Sequence, residues 1–84
     1  MLLAIEVGNS NTVFGCYAAG RDERVATYRF STARERMADD WFALLSAVAA
    51  ADGCPLAEVD RVILSSVVPG VTTALSEMAR DRLG

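Results

Sequence analysis

Residues 2–17 read Leu2-Leu3-Ala4-Ile5-Glu6-Val7-Gly8-Asn9-Ser10-Asn11-Thr12-Val13-Phe14-Gly15-Cys16-Tyr17. Two apolar runs flank a polar connection, which is the pattern of strand, turn and strand. Leu2 to Val7 is apolar on both faces until Glu6, and a run of that kind suits the centre of a sheet. Thr12 to Ala19 predicts the second strand. Gly15 inside it marks close packing or a bulge.

The connection carries chemistry as well as geometry. A carboxylate at a strand end, then a glycine and small hydrogen-bonding residues, is what a phosphate-binding turn needs. Gly8 lets backbone approach a ligand without a Cβ in the way. Successive N–H groups can form an anion-binding concavity. The hydroxyls of Ser10 and Thr12 and the amides of Asn9 and Asn11 add neutral donors. Glu6 is the only charged side chain among the first twenty residues. Holding a cation beside a phosphate would explain an acid between Ile5 and Val7. A second reading stands beside this one. Gly, Asn and Ser also suit any hairpin turn, because they tolerate positive φ and bond their own backbone. Glu6 could then simply face solvent.

Working outward, Gly20-Arg21-Asp22-Glu23 predicts a polar turn. Arg24 to Ser31 alternates, Val25 and Thr27 opposite Ala26, Tyr28 and Phe30, and predicts a half-exposed third strand. The three strands form an antiparallel meander. The period then changes. Trp41, Leu44, Leu45 and Val48 fall on one helical face. Asp39 and Asp40 stand near its start, where carboxylates favour the helix dipole, and Gly53 and Pro55 end it. Arg61 to Ser65 predicts a fourth strand. Pro69 opens a second helix with Val71, Leu75, Met78 and Ala79 as its apolar face. Strand four is expected beside strand one, in parallel, because the hairpin partner blocks strand three. Trp41 at this spacing reads as core. Ser65-Ser66 either faces a cleft at a strand's carboxyl end or stops the strand and starts the helix. Arg21, Arg24, Arg34, Arg36, Arg80 and Arg82 are expected on solvated faces.

Composition narrows the function classes. The chain has 84 residues, is 52% hydrophobic and carries a net charge of −3. That gives no basic field and argues against a nucleic-acid partner. All 8 basic residues are arginine, which excludes a lysine-bearing Walker loop, and there is no histidine base or ligand. Cys16 and Cys54 form no Cys-x-x-Cys and read as buried free thiols. Met1-Leu2-Leu3-Ala4-Ile5 has no basic start and is too short for a signal or a membrane span, which points to cytoplasmic residence.

Three stretches resemble the amino-terminal part of type III pantothenate kinase, a family of the actin-like, sugar-kinase-like ATPase superfamily. They are Leu2 to Gly15, Arg29-Phe30-Ser31-Thr32 with Ala38-Asp39-Asp40-Trp41, and Val62-Ile63-Leu64-Ser65-Ser66-Val67-Val68-Pro69. The resemblance implies an α/β fold: a partial actin-like (ribonuclease H-like) domain, order β-β-β-α-β-α, with a mixed sheet and helices. Residues 1–84 would be the incomplete amino-terminal part of one such domain. It implies phosphorylation of pantothenate by ATP, the first step of coenzyme A synthesis. The cofactors would be Mg²⁺ or another divalent cation and a monovalent cation (K⁺ or NH₄⁺), in a homodimer. Glu6, Gly8, Asn9, Ser10, Asn11 and Thr12 would line the ATP phosphates, with Glu6 also holding the metal. The family carries aspartate where this chain has Glu6. Its catalytic aspartate, pantothenate-binding segment and adenosine-side motifs have no counterpart here, so no catalytic residue is expected within the chain. The alternative is a non-catalytic accessory protein of the same family acting through a protein partner. Asp39, Asp40 and Asp60 are expected in structural roles.

Overall fold

A strand that is apolar on both faces settles in the middle of its sheet, and β1 (Leu2–Val7) does so. The computed structural model describes residues 1–20 and 23–83. β2 (Asn11–Tyr17) pairs antiparallel with β1 and with β3 (Arg24–Ser31). β4 (Arg61–Ser66) pairs with the other edge of β1, in parallel, giving the order β3-β2-β1-β4. With α1 (Ala38–Asp52) and α2 (Pro69–Arg82) the chain runs β-β-β-α-β-α, with a short 3₁₀ turn at Leu56–Glu58 before β4. This is the α/β fold with a mixed sheet expected of a partial actin-like domain.

β2 ends earlier than its composition suggests. Ala18 and Ala19 lie outside it, because Tyr17 pairs with Arg24 and skips Val25. That bulge breaks the ladder. Gly15 sits just before it under close cover: a Cβ there would lie 3.4 Å from Arg24 Cδ and 3.5 Å from Tyr17 Cε1. The bulge thus falls just past Gly15, between Cys16 and Tyr17, and the cover above Gly15 comes from two flexible side chains at the near edge of ordinary contact. Of the polar turn at positions 20–23, Arg21 and Asp22 lie outside the described residues.

Alternation along the strands divides the sheet into two faces. Leu3, Ile5, Val7, Phe14, Cys16 and Tyr28 are buried in one cluster with Trp41, Leu45 and Ala49 of α1 and Val71, Leu75 and Met78 of α2. Leu44, Val48 and Ala79 flank that seam and are only half-buried. Trp41 is fully buried and stacks tilted or edge-on with Phe14 and Phe30 at centroid distances of 6.1 and 6.3 Å. The opposite face carries Leu2, Ala4, Glu6, Val13, Tyr17 and Ile63, and among the described residues no helix covers it.

The helix ends follow their local chemistry. Asp40 Oδ2 accepts the N–H of Met37 at 2.9 Å, holding the first turn of α1. Gly53 adopts φ 68°, and the N–H groups of Gly53 and Cys54 return to Ala50 and Ala49 at 3.1 and 2.8 Å. This is the Schellman ending that glycine makes accessible. Pro69 occupies the first turn of α2. Asp60 pairs with the amino terminus at 3.1 Å, at the entrance to β4.

Candidate phosphate-binding site

The carboxyl ends of β1, β3 and β4 and the start of β2 meet at one end of the sheet. The connection Gly8-Asn9-Ser10 lies there. The N–H of Gly8 closes it by donating to Asn11 O at 2.8 Å. A Cβ on residue 8 would stand 3.4 Å from that same oxygen, at the near edge of ordinary contact. Among the described residues no residue other than glycine has a positive φ, and Gly8 has none either. A positive φ is therefore not the reason for Asn9, Ser10 and Asn11. All three are exposed. The N–H groups of Asn9 and Ser10 donate to no acceptor among the described residues. Small polar side chains and free amides at a strand's carboxyl end form a concentration of neutral donors, which suits an anion.

The segment after β3 grips this turn. Thr32 donates its hydroxyl to Gly8 O at 2.8 Å and its N–H to Ser10 O at 2.9 Å. Thr12 is fully buried, and its Oγ1 lies 2.8 Å from Thr32 Oγ1. The one hydroxyl proton of Thr32 serves Gly8 O, so Thr12 is the donor of that pair. Thr12 thus supports the turn from below rather than facing outward with Asn9 and Ser10. Arg34 Nη2 donates to Asn9 Oδ1 at 3.3 Å. This occupies the carbonyl oxygen of the Asn9 amide and leaves its NH₂ as a donor. Neither Thr32 nor Arg34 was assigned to the turn by sequence; the contacts join residues 20 to 25 positions apart.

Arg34 is therefore tied to the turn rather than simply solvated. Arg36 also departs from expectation: its guanidinium lies 4.9 Å from the Trp41 ring centroid and donates to Ser31 O at 2.7 Å. Arg82 bridges to Asp39 at 3.2 Å and covers Phe42. Arg24 lies over Tyr17, and Arg80 pairs with its neighbour Asp81. Arg21 lies outside the described residues.

Glu6 projects from the uncovered face, on the row that runs Ser65, Glu6, Val13, Arg29 across the four strands. It is exposed and makes no ion pair among the described residues. It borders a shallow cleft of about 120 Å³ with Ala4, Val13, Gly15, Tyr17 and Arg24. The Ser65-Ser66 pair divides by the pleat. Ser66 accepts the N–H of Val68 at 3.0 Å and turns the chain into α2, whereas Ser65 stands beside Glu6. No cluster of three or more Cys, Asp or Glu groups able to hold a metal occurs among the described residues. A larger cavity of about 610 Å³ lies at the other end of the sheet, lined by Met1, Leu2, Tyr17 and Arg61 among others. Its carboxylate, Asp60, is engaged by the amino terminus, whose hydrogen bond and then charge hold that carboxyl below the usual range.

Comparison with known proteins follows the same residues. The profile of the type III pantothenate kinase family matches residues 2–84. The type III pantothenate kinase of Thermomicrobium roseum is 41% identical over 83 residues, covering 99% of this chain and 31% of that protein. That of Moorella thermoacetica is 40% identical over 84 residues, covering 100% and 32%. That of Pelobacter propionicus is 40% identical over 81 residues, covering 96% and 31%. The chain spans about a third of the length of the curated relatives it matches. By this profile and these identities, the chain belongs to the type III pantothenate kinase family.

Proposed function

We propose that this chain forms the ATP-phosphate-binding end of an actin-like kinase domain whose whole protein transfers the γ-phosphoryl group of ATP to pantothenate. One observation carries the reading. The turn after β1 presents three exposed polar residues and free N–H groups, with no conformational need for them, in a member of a kinase family. In this reading Gly8, Asn9, Ser10 and Asn11 receive the phosphates, and Thr12 shapes the turn from beneath. Glu6 is a suitable partner for the divalent cation. Mg²⁺ typically takes one or two carboxylates and completes its shell with waters and phosphate oxygens, and Glu6 is one exposed carboxylate beside the turn, with no ion pair among the described residues. Bound there, the cation would neutralise charge on the phosphates. The chain's own contribution is positioning and donation of hydrogen bonds. A monovalent cation (K⁺ or NH₄⁺), homodimer assembly and cytoplasmic residence come with the family reading, with no residue of this chain assigned to them.

Titration of the ¹⁵N-labelled chain with inorganic tripolyphosphate, with and without Mg²⁺, tests the proposal. Amide shifts confined to Gly8–Thr12, strengthened by Mg²⁺, are expected. Glu6→Gln should remove the Mg²⁺ increment while changing stability by no more than about 0.5 kcal/mol, as for other exposed side chains. Shifts spread over the larger cavity near Met1 and Tyr17, or none at the turn, would overturn it. Coupled ADP-release assays with ATP, Mg²⁺, K⁺ and pantothenate should give no turnover above blank, since the chain offers no candidate base.

A further inference from the structure

We propose that Thr32 is the positioning residue of the phosphate turn: its hydroxyl holds the Gly8 carbonyl and so aims the N–H of Asn9, which shares that peptide plane, outward at an anion. The inference rests on the phosphate reading above and adds to it a residue that lies outside the turn itself.

The argument is geometric. A trans peptide unit is planar, and its C=O and N–H point in opposite directions. The carbonyl of Gly8 shares a peptide plane with the N–H of Asn9, and the carbonyl of Ser10 shares one with the N–H of Asn11. Thr32 bonds both carbonyls, through its hydroxyl at 2.8 Å and its N–H at 2.9 Å. Fixing the Gly8 oxygen toward Thr32 turns the Asn9 N–H away from it, and that N–H donates to no acceptor among the described residues; the Asn11 N–H faces back across the hairpin toward Gly8, whose own N–H bonds Asn11 O. The neighbouring N–H of Ser10 also donates to no acceptor among the described residues, so two adjacent donors are available there.

The chemistry is also particular to a β-hydroxyl. Thr32 Oγ1 donates to Gly8 O and accepts from Thr12 at 2.8 Å, which satisfies a hydroxyl that is otherwise fully buried. Valine has nearly the same shape but can do neither. Removing the Thr32 hydroxyl therefore frees the Gly8 peptide to rotate and orphans the Thr12 hydroxyl beneath the turn. Serine keeps both bonds. The Thr32 N–H bond to Ser10 O survives any substitution but proline, so the Gly8–Asn9 peptide is the one a side-chain change releases.

The test compares Thr32→Val with Thr32→Ser in the 84-residue chain, using Mg²⁺-tripolyphosphate as the probe and amide shifts as the readout. Thr73→Val is the control, because Thr73 likewise donates to a carbonyl, that of Pro69 at 3.2 Å, far from the turn. Thr32→Val should weaken tripolyphosphate binding by about tenfold or more through lost preorganisation. Thr32→Ser and Thr73→Val should stay within about threefold of the parent, tenfold being the scale of one lost interaction. Parent-like affinity in Thr32→Val would overturn the proposal, and so would equal losses in the serine and valine variants. Should the parent itself bind no tripolyphosphate, the phosphate reading falls, and amide exchange at Asn9 decides the positioning role. Faster exchange in Thr32→Val than in Thr32→Ser supports it. Equal rates would refute it.

Discussion

Cys16 and Cys54 show how one residue's setting decides its chemistry. Both are free thiols; Cys16 is fully buried in β2, and Cys54 is half-buried just past the end of α1. Burial, with the Cys54 thiol alongside, pushes Cys16 from an ordinary 9.0 to about 12. The thiolate is the nucleophile, so iodoacetamide at pH 8 should label Cys54 first and Cys16 only on unfolding. Mass spectrometry of partially labelled chain checks the order. The linkage to stability follows from the same shift. The folded chain holds the Cys16 proton more tightly than the unfolded chain does. Its contribution to stability is thus fully present below pH 9 and is lost as pH rises toward 12. Tyr28 acts in the same direction, its phenol raised chiefly by burial and further by Asp52. Urea melts at pH 7, 9.5 and 11 should therefore show stability falling at the alkaline end. A flat profile would contradict the burial of these groups.

At the scale of elements, α1 ends where its glycine permits. Gly53 has φ 68°, and a Cβ there would meet nothing within 4 Å. Substitution is thus a matter of backbone conformation alone. Gly53→Ala should cost about 1 kcal/mol and lower the melting temperature by about 4–8 °C. Near-ultraviolet circular dichroism should stay unchanged, because Trp41 and its neighbours are untouched. β4 raises a different question. It is an edge strand of the sheet, and Ile63 on it is 53% exposed. An unpaired apolar edge is a template for association. The chain should therefore self-associate as concentration rises, and Ile63→Lys should suppress this while preserving the far-ultraviolet spectrum. Light scattering over a concentration series would decide it; equal association in both forms would clear the β4 edge of responsibility.

For the whole molecule, the layout keeps one face and one end of the sheet open. The radius of gyration is 11.7 Å, and a domain of this length is expected near about 12 Å. Both helices cover one face of the sheet and bury one cluster. That leaves Glu6 and Ser65 on the uncovered face and the turn at the sheet's end, accessible together. Among the described residues no helix is long and apolar enough to cross a membrane.

The sequence by itself determined the elements and their order, because these depend on local period and local capping. The double-sided apolarity of Leu2–Val7 fixed a central β1. The spacing of Trp41 and Leu45 fixed one face of α1, and Gly53 and Pro69 fixed helix ends. Even the parallel β1–β4 pairing was legible, since a hairpin partner blocks the alternative. The polar turn was visible too, but its two readings were not separable from residue types, which serve hairpins and phosphates alike. Only the tertiary structure showed the setting in which the turn stands. It gave Asn9, Ser10 and Asn11 ordinary backbone angles, turned Thr12 inward, and brought Thr32 and Arg34 onto the turn from beyond β3. Hydrogen bonds between residues 20 to 25 positions apart exist only once the meander has formed. No local pattern encodes them, because partner choice across strands depends on register rather than on neighbours in the chain.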